Sequence, residues 1–134
     1  MAIPDARAAE TPQLLIVDDD DGVVQSFARV LRLQGYDVVT ASNGDAALTR
    51  AIESKPDAIV LDLRMPLADG MTFLRRLRAA KSCRRTPVAI ITGDYFLDIA
   101  TAEEAKTLGA EIFFKPVWIE DLIAIARQLL RREV

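Results

Sequence analysis

Short apolar runs alternate along the chain with longer segments in which apolar residues recur every three or four positions. Leu14 to Val17 is the first run, unbroken and brief, as expected of a strand buried on both faces. Beyond it, Val24, Phe27, Ala28 and Leu31 fall on one side of a helix that closes at Gly35. Tyr36 to Thr40 reads as a second strand, and Asn43-Gly44 leads into a helix carrying Ala47, Leu48, Ala51 and Ile52, closed by Pro56. Ala58 to Leu61 makes a third strand ending at Asp62. The turn-rich stretch Met65 to Gly70 then leads to a helix whose inward positions are Phe73, Leu74 and Leu77. Pro87 to Ile91 is a fourth strand ending at Thr92-Gly93, and a helix from about Asp98 to Leu108 stops at Gly109. Ile112 to Phe114 supplies a fifth strand before Lys115-Pro116, and the last helix runs from about Ile119 to Arg132.

Strand followed by helix, repeated with connections too long for hairpins, predicts an α/β domain. Parallel strands need such crossovers, and crossovers of one hand cover a single parallel sheet with helices on both faces. Asp18, Asp62, Thr92 and Lys115 then arrive at the same edge of the sheet. Ligands of open α/β sheets bind beyond the carboxyl ends of the strands, so these apolar-to-polar switches point to one pocket.

A length of 134 residues allows one domain, and 51% hydrophobic residues fills one core. Residues 13–132 are expected to form it, behind a loose leader at 1–12 containing Pro4 and Pro12, with a tail at 133–134. A net charge of -3 gives no case for direct nucleic-acid binding. Arg75, Arg76 and Arg78, with Lys81, Arg84 and Arg85, read as a solvated helical face. A single cysteine, Cys83, excludes an internal disulfide and suits a reducing compartment. Without any histidine the chain has no serine-histidine triad and no histidine-bearing zinc site. No apolar run approaches the roughly 20 residues of a membrane span, and no signal-peptide order opens the chain; a cytoplasmic location is expected.

Four carboxylates follow the first strand. Asp18 and Asp19 end it, while Asp20 and Asp21 are placed to cap the next helix or occupy its first turn. If the first and third strands are neighbours, Asp18, Asp19 and Asp62 converge. Bare, they would raise one another's pKa values; a hard divalent cation such as Mg²⁺ reverses that penalty. Lys115 adds a point charge and Thr92 a hydroxyl. Carboxylates, Mg²⁺, an ammonium and a hydroxyl together suit a phosphoryl group. Since no glycine-rich nucleotide loop is present, an aspartate is the more plausible carrier of that group than a bound nucleotide.

At these residues the chain resembles the receiver domain of response regulators in bacterial two-component signalling, over about Gln13 to Leu130. The resemblance implies a five-stranded parallel sheet in the order 2-1-3-4-5 with five helices, a three-layer CheY-like α/β/α fold. It makes Asp62 the phosphoacceptor, within Leu61-Asp62-Leu63-Arg64-Met65-Pro66 and followed by Asp69-Gly70 in the loop. Asp19 becomes the direct Mg²⁺ ligand, Asp18 mainly a water-mediated one, and Arg64 a backbone-carbonyl ligand. Thr92-Gly93 matches the switch hydroxyl and its small neighbour, and Lys115-Pro116 the lysine with a proline whose bond is commonly cis. Partners implied are a sensor histidine kinase or a histidine phosphotransfer protein, followed by slow Mg²⁺-dependent autodephosphorylation. Signalling would pass through the face made by the fourth helix, fifth strand and fifth helix.

Two departures from the family pattern stand out. Ile112 occupies the third position before Lys115, where the family often has an aromatic ring, and the segment from Gly109 to Lys115 reads as one residue shorter than is usual in the family. Arg64 and Asp94 flank the water path in the family; paired across the mouth, they would prolong the phosphorylated state. On the last helix, Ile119, Ile123, Ala126 and Leu130 form one apolar stripe and Trp118, Leu122, Ile125 and Leu129 a second. The first reading is one wide core face, with any remainder, taken at Ile125 and Leu129, serving a homodimer or effector. The chain is expected to be a single-domain regulator; alternatives are a receiver excised from a larger regulator or hybrid kinase, a phosphorylation-independent binding module, or a phosphatase with a phosphoaspartyl intermediate.

Overall fold

The computed structural model describes residues 11–63, 67–93 and 98–131. Five strands, β1 (Gln13–Val17), β2 (Asp37–Ala41), β3 (Ala58–Leu63), β4 (Val88–Thr92) and β5 (Ala110–Phe114), form one parallel sheet in the order β2-β1-β3-β4-β5. The connecting helices are α1 (Asp21–Leu33), α2 (Gly44–Ser54), α3 (Leu67–Ala79), α4 (Ile99–Thr107) and α5 (Ile119–Arg131), with a short 3₁₀ turn at Lys81–Cys83. The strand order is the one the resemblance implies.

Alternation along the buried strands divides the core in two. Leu15, Val17, Ile59, Leu61, Val88 and Ile90 face Ala47, Ala51, Phe73, Leu74, Leu77 and Ala105 from α2, α3 and α4. Leu14, Ile16, Ala58, Val60, Ala89 and Ile91 face Ala28 and Leu31 of α1 and four residues of α5. Because β1, β3 and β4 are covered on both sides, their sequences are continuous apolar runs rather than alternating ones. Each fully buried Leu or Ile contributes about 1.5–3 kcal/mol of apolar transfer free energy, which fixes the strand register as well as the fold.

Side-chain caps set the helix starts. Asp20, Asn43 and Asp98 accept the N–H of Val23, Ala46 and Thr101 at 3.1, 2.8 and 2.7 Å. Gly35 and Gly109 follow the ends of α1 and α4 with φ of 97° and 81°, where a side chain would be strained. Pairing begins just before β1, where the Pro12 carbonyl accepts the Asp37 N–H at 2.9 Å.

Four sequence expectations are corrected. Asp69-Gly70 lies inside α3, which starts at Leu67, rather than in the loop; Gly70 is buried, so packing overrides the turn preference of the dipeptide. Ile52, placed on the apolar side of α2, is 44% exposed, and Ala47 and Ala51 make the buried contacts instead. β5 begins at Ala110, two residues before the apolar run, because ladder hydrogen bonds at a sheet edge need no apolar side chain: Ala110 pairs with Val88 and Glu111 with Ala89. On α5, Ile125 and Leu129 are core, with Leu122 and Ala126, since these four fall at i, i+3, i+4 and i+7 on one face. Trp118 and Ile119 are the exposed ones, at 66% and 59%.

Candidate functional site

The sheet reverses direction of growth at β1, with β2 on one side and β3 on the other, which puts the topological switch point at the carboxyl ends of β1 and β3. The last β1–β3 rung pairs Val17 with Leu61, which makes Asp18 and Asp62 the next positions on neighbouring strands. On the other side Asp62 pairs with Ile91 and Leu63 with Thr92. Thr92 in turn pairs with Phe114, and the Lys115 N–H donates to the Thr92 carbonyl at 2.9 Å. Thus positions 18, 62, 92 and 115, all chosen from the sequence, come to one edge in adjacent strands about 4.8 Å apart.

The side chains differ in exposure. Asp18 has no exposed surface; its Oδ1 accepts the Asp20 N–H at 3.1 Å and its own N–H donates to the Ala41 carbonyl at 3.1 Å. Asp19, next to it, is exposed. Asp20 caps α1 and Asp21 opens it, so the four-carboxylate run is divided between the strand end and the helix start, where the helix dipole favours negative charge. Thr92 is buried and Lys115 half-buried. The Lys115 stem runs beside Gly93: a Cβ built there would lie 3.9 Å from Lys115 Cδ. The Lys115-Pro116 bond is cis. The side chain of Asp62, and Arg64, Met65, Pro66 and Asp94, lie outside the described residues.

This donor set fits a hard cation. Among the described residues it offers a carboxylate at the end of β1 and no soft ligand, since Cys83 is buried on another side, with Sγ 3.6 Å from the Ala51 carbonyl. Among the described residues, no three acidic, cysteine or histidine side chains are grouped closely enough to enclose an ion by themselves.

Around the edge of the sheet, Ile112 packs on the core cluster of α2, α3 and α4, Phe113 on that of α1 and α5, and Phe114 is 44% exposed. Strand alternation thus leaves no ring at the Ile112 position. A cavity of about 660 Å³ between α4, β5 and α5 is lined by Ala102, Lys106, Glu111, Ile112, Gln128 and Arg131.

A family model described as the response regulator receiver domain matches residues 14–127. The chain belongs to this family. It is 40% identical over 123 residues to the transcriptional regulatory protein PrrA of Mycobacterium tuberculosis, a match covering 91% of this chain and 51% of PrrA. It is 34% identical over 120 residues to the regulatory protein AtoC of Escherichia coli, covering 89% of this chain and 25% of AtoC. The receiver therefore spans about half the length of PrrA and a quarter of AtoC. Among solved structures it superposes on the Vibrio cholerae chemotaxis protein CheY4 with a TM-score of 0.79 at 29% identity, covering 90% of this chain and 99% of CheY4. It also resembles the receiver domain of the hybrid histidine kinase CckA, with a TM-score of 0.70, 32% identity and coverage of 88% and 98%.

Receiver domains act in the phosphorelays of two-component signalling, in general depend on Mg²⁺, and work with sensor histidine kinases or histidine phosphotransfer proteins. Among the described residues no helix is long and apolar enough to cross a membrane. The sequence starts this helix at about Asp98, and the structure adds that the Asp98 side chain is its cap, fixing the start of α4 beside this edge. An Asp three residues before a threonine was the available signal.

Proposed function

We propose that this receiver accepts a phosphoryl group on Asp62 from a phosphohistidine of a cytoplasmic kinase or phosphotransfer partner. The reading rests on the register that sets position 62 beside Asp18 and one step before the rung of Thr92, with Lys115 joined to Thr92 through the backbone. A carboxylate oxygen of Asp62 attacks phosphorus, the P–N bond to the donor imidazole breaks, and the imidazole leaves to be reprotonated by solvent. Lys115 supplies a fixed positive charge for the transferred oxygens and the Thr92 hydroxyl donates to one of them. Asp19 as direct ligand, Asp18 through water, Asp62 and the Arg64 carbonyl would hold Mg²⁺. When bound, that ion offsets the repulsion among carboxylates and the incoming phosphoryl oxygens.

The output face in this reading is α4, β5 and α5, whose cavity offers both charge and apolar wall to an effector or a second copy. The likeness to PrrA supports a transcriptional output for a longer regulator carrying such a receiver. Incubation with a small acyl or amido phosphate donor and Mg²⁺, followed by intact-mass measurement, is expected to show one added phosphoryl group. Its absence in Asp62→Ala completes the result. An increment that persists in Asp62→Ala, or none with any donor, overturns the proposal in favour of a phosphorylation-independent binding module.

A further inference from the structure

The basic residues grouped by sequence as one helical face separate into two sets. Arg75 donates Nε and Nη2 to the carboxylate of Glu104 at 2.6 and 2.7 Å, Arg76 donates to Asp45 at 2.8 Å, and Arg78 donates to two backbone carbonyls. Lys81, Arg84, Arg85 and Lys55 make no ion pair among the described residues. All four are exposed, and all four line one concavity of about 620 Å³.

This concavity lies at the pole of the sheet opposite the Asp62 end. Lys55 and Asp57 belong to the α2–β3 connection, and Lys81 to Thr86 to the segment that feeds β4. Because β3 and β4 are neighbours, with the Ile59 N–H on the Pro87 carbonyl at 2.9 Å, the two connections run side by side. Position 62 is five residues further along from Asp57, a rise of about 16 Å. The walls are held in place. Lys55 sits in the left-handed region with φ 50° and donates its N–H to the Ala51 carbonyl, the same carbonyl that Cys83 Sγ approaches at 3.6 Å from the other connection. The Thr86 N–H bonds the Cys83 carbonyl at 3.3 Å. The one acid in the wall, Asp57, is engaged through Oδ2 with the Gln13 N–H at 2.7 Å.

We propose that this pole binds a compact oligophosphate, a small anion with two or more clustered phosphoryl groups. Four cations against one engaged acid, with the hydroxyls of Ser82 and Thr86 in the wall, supply charge-assisted donors for several phosphoryl oxygens at once. The volume falls in the range of small-molecule sites. Pro56 is the one apolar side chain of the wall and no aromatic ring is present, so nothing stacks a nucleobase; recognition is of phosphate alone. The positive pole belongs to a chain of net charge -3. An extended polyanion would meet the acidic remainder within a few Debye lengths of about 8 Å, whereas a small ligand feels the local field. The proposal stands independently of phosphorylation at Asp62.

Calorimetric titration of the full chain with inorganic tripolyphosphate, in metal-free buffer at physiological ionic strength, tests it. Saturable one-to-one binding is expected, with amide shifts concentrated at residues 55–57 and 81–86. Lys81→Ala with Arg84→Ala is expected to weaken binding about a hundredfold, and Arg85→Gln alone about tenfold, at roughly one lost charge-assisted bond each. Lys81→Arg with Arg84→Lys should hold affinity within about threefold, and Asp62→Asn should leave it unchanged. No saturable binding, undiminished affinity in the neutral variants, or shifts confined to the Asp62 end overturns the proposal. Tighter binding of a duplex oligonucleotide, or of vesicles containing acidic phospholipid, overturns the assignment to a free compact ligand.

Discussion

Arg78→Ala should cost far more stability than the same change at Arg75 or Arg76, although the three arginines are near neighbours on α3. Arg78 donates Nε to the Leu108 carbonyl at 2.6 Å and Nη1 to the Cys83 carbonyl at 2.8 Å, tying the end of α3 to the α4–β5 turn and to the 3₁₀ turn. Its guanidinium is half-buried and also covers Gly109, whose Cα could not carry a methyl group without coming 3.3 Å from Nη2. Burial lowers its pKa from the usual arginine value, yet it stays charged wherever the protein folds. A hydrogen bond from a charged donor is worth about 1.5–3 kcal/mol; two of them, halved for competition by water at a half-exposed group, give about 2 kcal/mol net. For a domain of this length that corresponds to a urea midpoint lower by about 1 M and a Tm lower by about 8 °C. Arg78→Lys should recover less than half, because one ammonium cannot span carbonyls from two separate segments. Arg75 and Arg76 hold exposed carboxylates, and their alanine variants should lose much less. Equal losses at all three positions in urea titrations would refute the reasoning.

On α5, Leu129→Ala should cost about 2–5 kcal/mol in urea unfolding while leaving the oligomeric state unchanged, because Leu129 has no exposed surface; altered association with full stability would contradict its place in the core. Asp98 has its pKa lowered, first by the Thr101 N–H and then by the Thr101 hydroxyl, so its contribution is present above the ordinary carboxylate range and lost as pH falls through the lower folded value. Accordingly, Asp98→Asn should flatten the acid limb of the stability profile below about pH 4, and a limb parallel to that of the wild type would count against the cap. If Arg64 and Asp94 hinder water, Arg64→Ala should shorten the lifetime of the acyl phosphate, measured by phosphate release; unchanged or slower loss would discard that pairing.

The ends of strands were the most legible part of the chain. A buried parallel strand must stop being apolar where it leaves the core, so Asp18, Asp62, Thr92 and Lys115 declared themselves as switches of polarity, and parallel pairing brought them to one edge. Asp69-Gly70 misled because a dipeptide carries its local turn preference into the sequence but not the packing that buries Gly70 inside α3. The two stripes of α5 could not be ranked from periodicity, since successive residues differ by 100° and Ala126 is shared between adjacent faces; contact with Leu14, Ile16 and Ile91 decides it. Arg78 was read with its neighbours as solvated because its partners are backbone carbonyls, which no residue code reveals.

The two apolar clusters have no residue in common, although adjacent residues of each central strand belong to opposite ones. Backbone ladders, rather than interlocking side chains, form the boundary between them, so the sheet behaves as a bulkhead. Volume changes on the α1–α5 side need not propagate to the α2–α3–α4 side, and paired substitutions across the boundary should combine nearly additively. Each half of such a molecule can drift in sequence on its own schedule while the rim they share stays in place.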